Sequence, residues 1–277
     1  MNLFSPFSLG TNLFMGYSLE NALDFVKEAE FDYAELSSII NMCEHIDPKL
    51  ITSEYAAEIK GMLDLKGLKC HAVSGHVDLT EEGQLQEFLK KIEFSSRIGA
   101  KIINTNSGPV SRLEIFKKNM IKIIAKAEKW NVIIGLESHG DIISTARDSV
   151  AIFRYFNHPL VRLNYDTGNT LFYEKGKINI EEDIKHGLEF LVHIHLKDIK
   201  ISGQNVEYCP IGDGNVNFPA VFSVLKRLKR PIPCGLEIPV HVKGILGDIR
   251  PINTPISKSD ALNAIERSVT FINSLIE

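Results

Sequence analysis

The sequence is poor in the features that announce several protein classes. Its four cysteines, Cys43, Cys70, Cys209 and Cys234, lie far apart with no Cys-x-x-Cys pair. That spacing argues against a zinc or disulfide framework and predicts reduced thiols. No apolar run approaches the ~20 residues of a membrane span. Positive charge is not in excess: 31 Lys and Arg stand against 35 Asp and Glu, a net charge of −4. Neither nucleic acid nor a membrane surface is expected as a partner from that balance. Met1-Asn2-Leu3-Phe4-Ser5-Pro6 lacks the basic start and apolar middle of a signal peptide, so a cytoplasmic location is expected. No Pro-, Gly- or Ser-rich linker and no low-complexity stretch divides the 277 residues, and a single domain over 1–277 is expected.

What is present is a regular alternation of strand-like and helix-like segments. Strands are predicted over 7–13, 33–36, 69–74, 101–106, 132–137, 161–166, 191–198 and 234–238. Ser18 is placed to cap the first helix, which carries Leu19, Ala22, Phe25, Val26 and Ala29 at helical spacing. Ser111-Arg112-Leu113-Glu114 has capping-box spacing ahead of a stripe of Leu113, Phe116, Met120, Ile123, Ile124 and Ala127. Further helices are expected over 55–65, 80–98, 144–156, 180–190, 218–228 and 259–276. Eight such units in a chain of this length point to the α/β class and a closed (β/α)8 barrel. An open doubly wound sheet would want a glycine-rich turn after its first strand, and none follows.

Active sites of such barrels lie at the carboxyl ends of the strands. Strands five to eight finish on Glu137, Asp166, His195 and Glu237, the first three at intervals of 29 residues. That regularity predicts that the four return to one level of the barrel and converge. Taken singly, each reads equally well as a solvated strand-end acid or a hydrogen-bonded core histidine. Together, three carboxylates need a cation to neutralise them. Three oxygen donors and one imidazole suit Mn²⁺, Mg²⁺ or a similar ion. His193 sits one pleat deeper and is expected to support the site from behind rather than to bind an ion.

The motifs Gly-Leu-Glu137-Ser-His139-Gly, Asn-Tyr-Asp166-Thr-Gly-Asn169, His193-Ile-His195-Leu-Lys197-Asp198, Ile211-Gly-Asp-Gly-Asn-Val216 and Gly-Leu-Glu237 resemble those of the sugar phosphate isomerase/epimerase family. This is the xylose isomerase-like group of TIM barrels, and the resemblance runs through essentially the whole chain. It implies that Glu137, Asp166, His195 and Glu237 hold one divalent ion, Mn²⁺ foremost, with Mg²⁺, Co²⁺ or Zn²⁺ as substitutes. Relatives include ketose 3-epimerases, inosose dehydratases and sugar isomerases. The activity implied is isomerisation or epimerisation of a ketose or keto-sugar, phosphorylated or not, by proton abstraction beside a carbonyl through an enediolate. Glu137 and Glu237 would be the base and acid on the two faces of the sugar.

His76, His139, Asn169 and Lys197 are candidates to hold sugar hydroxyls. Their ordinary readings are loop polarity for the two histidines, a left-handed turn residue for Asn169 and a surface charge for Lys197. Asn169 stands where the related ketose epimerases have a histidine. The backbone of Asn106-Ser107-Gly108 is a candidate phosphate cradle. The segment 240–258 reads as a long unstructured loop over the active face, a lid or subunit contact, with Arg250 the candidate partner for an acidic group on the substrate. A homo-oligomer, dimer or tetramer, is the expected assembly.

Three other functions share these features. A lyase of the inosose dehydratase type begins with the same proton abstraction. An endonuclease IV-like enzyme needs more histidines than this chain offers: Glu207-Tyr208-Cys209 replaces an Asp-Arg-His motif, and Asn169 replaces a zinc-binding histidine. A non-catalytic sugar-binding barrel would keep the cavity without the chemistry.

Overall fold

A computed structural model describes residues 3–251 and 254–276, without the side chains of 249–251. The strands in chain order are β1 (Phe4–Gly10), β2 (Tyr33–Ser37), β3 (Lys69–Ser74), β4 (Ile102–Thr105), β5 (Ile133–Glu137), β6 (Val161–Asp166), β7 (Leu191–Leu196), β8 (Asp198–Ser202), β9 (Asn205–Cys209), β10 (Ile232–Leu236), β11 (Val242–Ile245) and β12 (Asp248–Pro251). Eight of them close a parallel barrel in the order β1-β10-β7-β6-β5-β4-β3-β2. The expected (β/α)8 barrel is therefore the fold.

The helices follow the predicted stripes. Helix α1 (Leu19–Glu28) starts at Ser18, whose side chain accepts from the Asn21 N–H, and buries Leu19, Ala22, Leu23 and Val26. Then come α2 (Ser53–Leu65), α3 (Glu82–Arg97) and α4 (Leu113–Trp130), the last burying Phe116, Met120, Ile123 and Ala127. The capping box is not formed: Arg112 occupies the N-cap of α4 without a side-chain bond, because a 3-10 turn over Val110–Arg112 takes up Ser111. Helix α5 (Ala146–Phe156) is capped by Thr145. A short helix not expected from the sequence, α6 (Thr167–Tyr173), begins directly at the end of β6, capped by Asp166. The ring ends with α7 (Ile180–Gly187), α8 (Phe218–Leu225) and α9 (Lys258–Ile276). Among the described residues no helix is long and apolar enough to cross a membrane.

The largest departure from expectation lies after β7 and β10. Segment 240–258 is not an unstructured loop, since β11 and β12 form an antiparallel hairpin within it. That hairpin joins β8 and β9 in a second, four-stranded sheet of order β12-β11-β9-β8. The periodicity of 198–209 and 242–251 hid this sheet because its strands are short and carry Gly and charged residues. It stands beside the mouth of the barrel, and its Tyr208 and Val242 form part of the cavity wall.

Candidate metal centre

Polar side chains occupy the barrel floor where glycine leaves room for them. The two Gly-Leu-Glu motifs on β5 and β10 show the device. A Cβ on Gly135 would overlap Asn104 Oδ1, and one on Gly235 would overlap Glu35 Oε2 and lie 2.9 Å from His195 Cδ2. Asn104 and Asn164 fill the first space. Glu35, absent from the sequence-derived candidates, fills the second.

Glu35 on β2 is buried and heavily bonded. Its Oε1 accepts from Ser74 Oγ at 3.0 Å and Asn104 Nδ2 at 2.9 Å, and lies 2.9 Å from His195 Nε2. Burial alone would raise its pKa, but the imidazoles of His195 and His193 and these hydrogen bonds hold it far below the usual carboxylate range. His193 lies deeper, as expected, with Nδ1 2.9 Å from Asn164 Oδ1 and Nε2 3.4 Å from Glu35. Burial outweighs the neighbouring Glu35 charge and lowers its pKa to about 3.

With Nε2 turned to Glu35, the Nδ1 of His195 faces the other way, towards three carboxylates. Glu137 Oε2 is 3.0 Å from it, Asp166 Oδ2 3.5 Å and Glu237 Oε1 3.8 Å. The convergence does not arise from a common level. Asp166 is the register partner of His195, whereas Glu137 pairs with Asn164, and Glu237 lies two residues beyond the partner Gly235. Strand stagger in the closed barrel brings them together. Burial disfavours a charged His195, yet Glu237, Glu35 and Glu137 outweigh it and raise its pKa well above the ordinary value.

Each carboxylate is held in a different way. Glu137 is inaccessible, its Oε1 accepting from Asn169 Nδ2 and its Oε2 from Asn164 Nδ2, both at 2.8 Å, with His76 Nε2 3.3 Å away. Burial raises its pKa, but His76 and His195 overcome this and hold it well below the usual range. Asp166 caps α6 through Oδ1, which accepts from the Asn169 N–H. Its Oδ2 and the Oε2 of Glu237 each lie 2.6 Å from Lys197 Nζ. Lys197 is thus no surface charge; it is 7% exposed. Nor is Asn169 a left-handed turn residue: it sits in α6 and bridges Glu137 and Lys197.

Three groups among the described residues present donor atoms within 4.8 Å of one another: Glu137, Asp166 and His195; Glu35, His193 and His195; and His76, Glu137 and His139. The first group, with Glu237 beside it, fits a divalent ion best. Its carboxylates and imidazole match the ligand preferences of Mg²⁺ or Mn²⁺. The Glu35–His195 contact supplies the carboxylate behind a ligand histidine that such sites use to fix the ring.

Above the donors lies a cavity of about 640 Å³, reached by Glu237, Lys197, Asn169, His76 and His139 but not by Glu137 or Asp166. His139 leans on the Tyr173 hydroxyl, 3.3 Å from Nδ1. The Arg250 side chain lies outside the described residues; its backbone pairs with Lys243 on the hairpin. The phosphate cradle expected after β4 is not available. The N–H groups of Ser107 and Gly108 already donate to Asp141 Oδ2 at 2.7 and 2.8 Å. Asp198 has a comparable structural task, accepting from the backbone N–H groups of Ile199, Gly212, Gly214 and Val216 and so folding the Gly-Asp-Gly turn.

Glu35 had one signal in the sequence: an acid at an inward position of a short apolar strand. Tyr208 had none, because the strand carrying it belongs to the second sheet.

Solved structures of similar fold cover nearly the whole chain. A xylose isomerase-like TIM barrel protein from Mycobacterium smegmatis in complex with magnesium has a TM-score of 0.74 at 16% identity, with 98% of each chain covered. A probable 3-DHS dehydratase from Bacillus anthracis has a TM-score of 0.73 at 14% identity, with 99% of each chain covered. An L-ribulose 3-epimerase has a TM-score of 0.71 at 17% identity, covering 100% of this chain and 95% of the other. At such identities the likeness is one of fold. No curated protein matches the sequence. The model of the xylose isomerase-like TIM barrel family matches residues 23–271, and with the closed barrel and its strand-end donors in place, the chain belongs to that family.

Proposed function

We propose that the protein is a divalent-metal-dependent isomerase or epimerase of a ketose or keto-sugar, with Glu137, Asp166, His195 and Glu237 holding the ion. The observation that carries this reading is the convergence of the three carboxylates on the Nδ1 of His195 beneath a cavity that His76, His139, Asn169 and Lys197 help to line. An ion held there would supply Lewis acidity to a substrate carbonyl and offset negative charge developing on it. The chain's own groups do the rest. Of the three proposed ligand carboxylates Glu237 is the one that lines the cavity, which supports assigning it the proton from the carbon beside the carbonyl. Glu137 is reached from the cavity through His76, 3.3 Å from its Oε2, and serves the opposite face by that route. His139 and Asn169 line the wall and hold hydroxyls. The hairpin and Tyr208 exclude water from one side.

The test is solvent exchange. Protein loaded with Mn²⁺ or Mg²⁺ is incubated in heavy water with a panel of ketoses, and deuterium at the carbon beside the carbonyl is read by NMR. Exchange with at least one ketose is expected, reduced about 100-fold or more in Glu237→Gln. No exchange with any member, at full metal occupancy, rejects the reading. A lyase shares the first step, and the Lys197 ammonium beside Glu237 is an acid that a departing hydroxyl would need. Loss of water from the product mass separates the two.

A further inference from the structure

Lys197 stands out because it holds an oxygen that the proposed ion also needs, Asp166 Oδ2, and a second carboxylate beside it. Asp166 has two carboxylate oxygens with separate tasks: Oδ1 caps α6, and Oδ2 points to the donor centre, 3.5 Å from His195 Nδ1. The Lys197 ammonium takes Oδ2, not the outer oxygen. It also takes Oε2 of Glu237. Glu137 and Glu35, by contrast, have amide, hydroxyl or imidazole partners of their own. Lys197 lies against the two acids that stand farther from His195 Nδ1, at 3.5 Å for Asp166 and 3.8 Å for Glu237.

The path of this side chain is built in. Its stem passes over Gly168, where a Cβ would lie 2.7 Å from Cγ and 3.0 Å from Cβ and Cδ of Lys197. Its ammonium has other places to go within the same wall. The Asn169 Oδ1 is 3.3 Å away and the Tyr208 ring centroid 5.8 Å, and all three residues face the cavity.

Resting on the metal-dependent reading above, we propose that Lys197 is a displaceable counter-cation. It holds Asp166 and Glu237 in place until a divalent ion takes them, and then turns into the cavity to bind a substrate oxygen. Two cations cannot share Asp166 Oδ2 and Glu237 at full strength, since each repels the other at that range. Preassembly of the acids by an internal ammonium keeps their geometry without an ion, and the ion recovers the site by carrying twice the charge.

The experiment follows Lys197 itself. Wild-type protein is reductively methylated with chelator or with saturating Mn²⁺, and the labelling rate at Lys197 is mapped by peptide mass. Manganese affinity of wild type and Lys197→Met is measured by calorimetry. Labelling about tenfold faster with the ion is expected, and about tenfold tighter binding by Lys197→Met, because the wild-type acids are then free only a fraction of the time. A labelling rate that ignores the ion overturns the proposal whatever the variant does. It also stands alone if Lys197→Met does not fold. Weaker binding by a folded Lys197→Met overturns it as well, making the lysine a support for the ion. Binding by the variant alone supports the counter-cation but rejects a metal-dependent natural enzyme, and binding by neither rejects both.

Discussion

The Nε2 of His195 lies 2.9 Å from the Oε1 of Glu35, although the residues are 160 positions apart on strands that are not neighbours in the barrel. This contact chooses which nitrogen of His195 faces Glu137, Asp166 and Glu237. Glu35→Gln keeps the shape of the side chain and removes its charge. Metal affinity is expected to fall about 10–100-fold, the usual loss when the carboxylate behind a ligand histidine is removed. Manganese titration calorimetry reads the loss, with circular dichroism as the control for folding. Unchanged affinity would mean that the ring is oriented by its packing alone.

Loading with metal should release a proton. The surrounding carboxylates keep His195 protonated well above its ordinary pKa, and an ion can bind Nδ1 only once the proton on it has left. Roughly one proton per ion is expected at neutral pH, and affinity should rise with pH until the raised pKa is passed. Calorimetry in buffers of different ionisation enthalpy counts the protons. A count near zero would remove His195 from the ligand set.

Gly235→Ala tests the space beneath the site. The new methyl group would overlap Glu35 and crowd His195. Overpacking of this kind costs about 1–3 kcal/mol. Metal affinity should drop together with stability, since the displaced groups orient His195, the proposed ligand. Chemical denaturation and metal titration of the same preparation check both. A variant that loses stability but keeps full affinity would separate the floor from the site.

His241 predicts an acid-sensitive limb of stability away from the donors. It is 5% exposed, its ring nitrogens have no hydrogen-bond partner among the described residues, and burial lowers its pKa to about 4. Because the folded value lies below the ordinary 6.5, the unfolded chain takes up the proton first as pH falls. Stability is therefore lost between about pH 6.5 and 4, by about 2 kcal/mol at pH 5 from this group. His241→Leu should remove that share and be neutral or stabilising at pH 7. Urea unfolding at pH 5 and 7 measures it, and equal pH dependence in both proteins would refute the assignment.

Local pattern carried far in this chain. The apolar periodicity located the eight barrel strands and most of the helices to within a few residues, because the buried face of each element repeats at a fixed interval. It also singled out Glu137, Asp166, His195 and Glu237 at strand ends, and the fold brings these four side chains together. It did not show Glu35 as part of the site, since an acid in a short strand looks alike whether it meets water or a histidine across the barrel. The second sheet escaped for a related reason: antiparallel strands of four or five residues leave too few alternations to read.

What the sequence determined by itself is the order of strands and helices, the sidedness of each strand, and hence which side chains point inward at the active end. Those follow from steric and hydrophobic preferences within a few residues of each position. What only the tertiary structure decided is which inward groups meet: the stagger that lifts Asp166 level with His195, the Gly235 space that admits Glu35, and the reach of Lys197 to Asp166 and Glu237. Contacts of that kind depend on strand register and barrel closure, which are set by the packing of the whole chain.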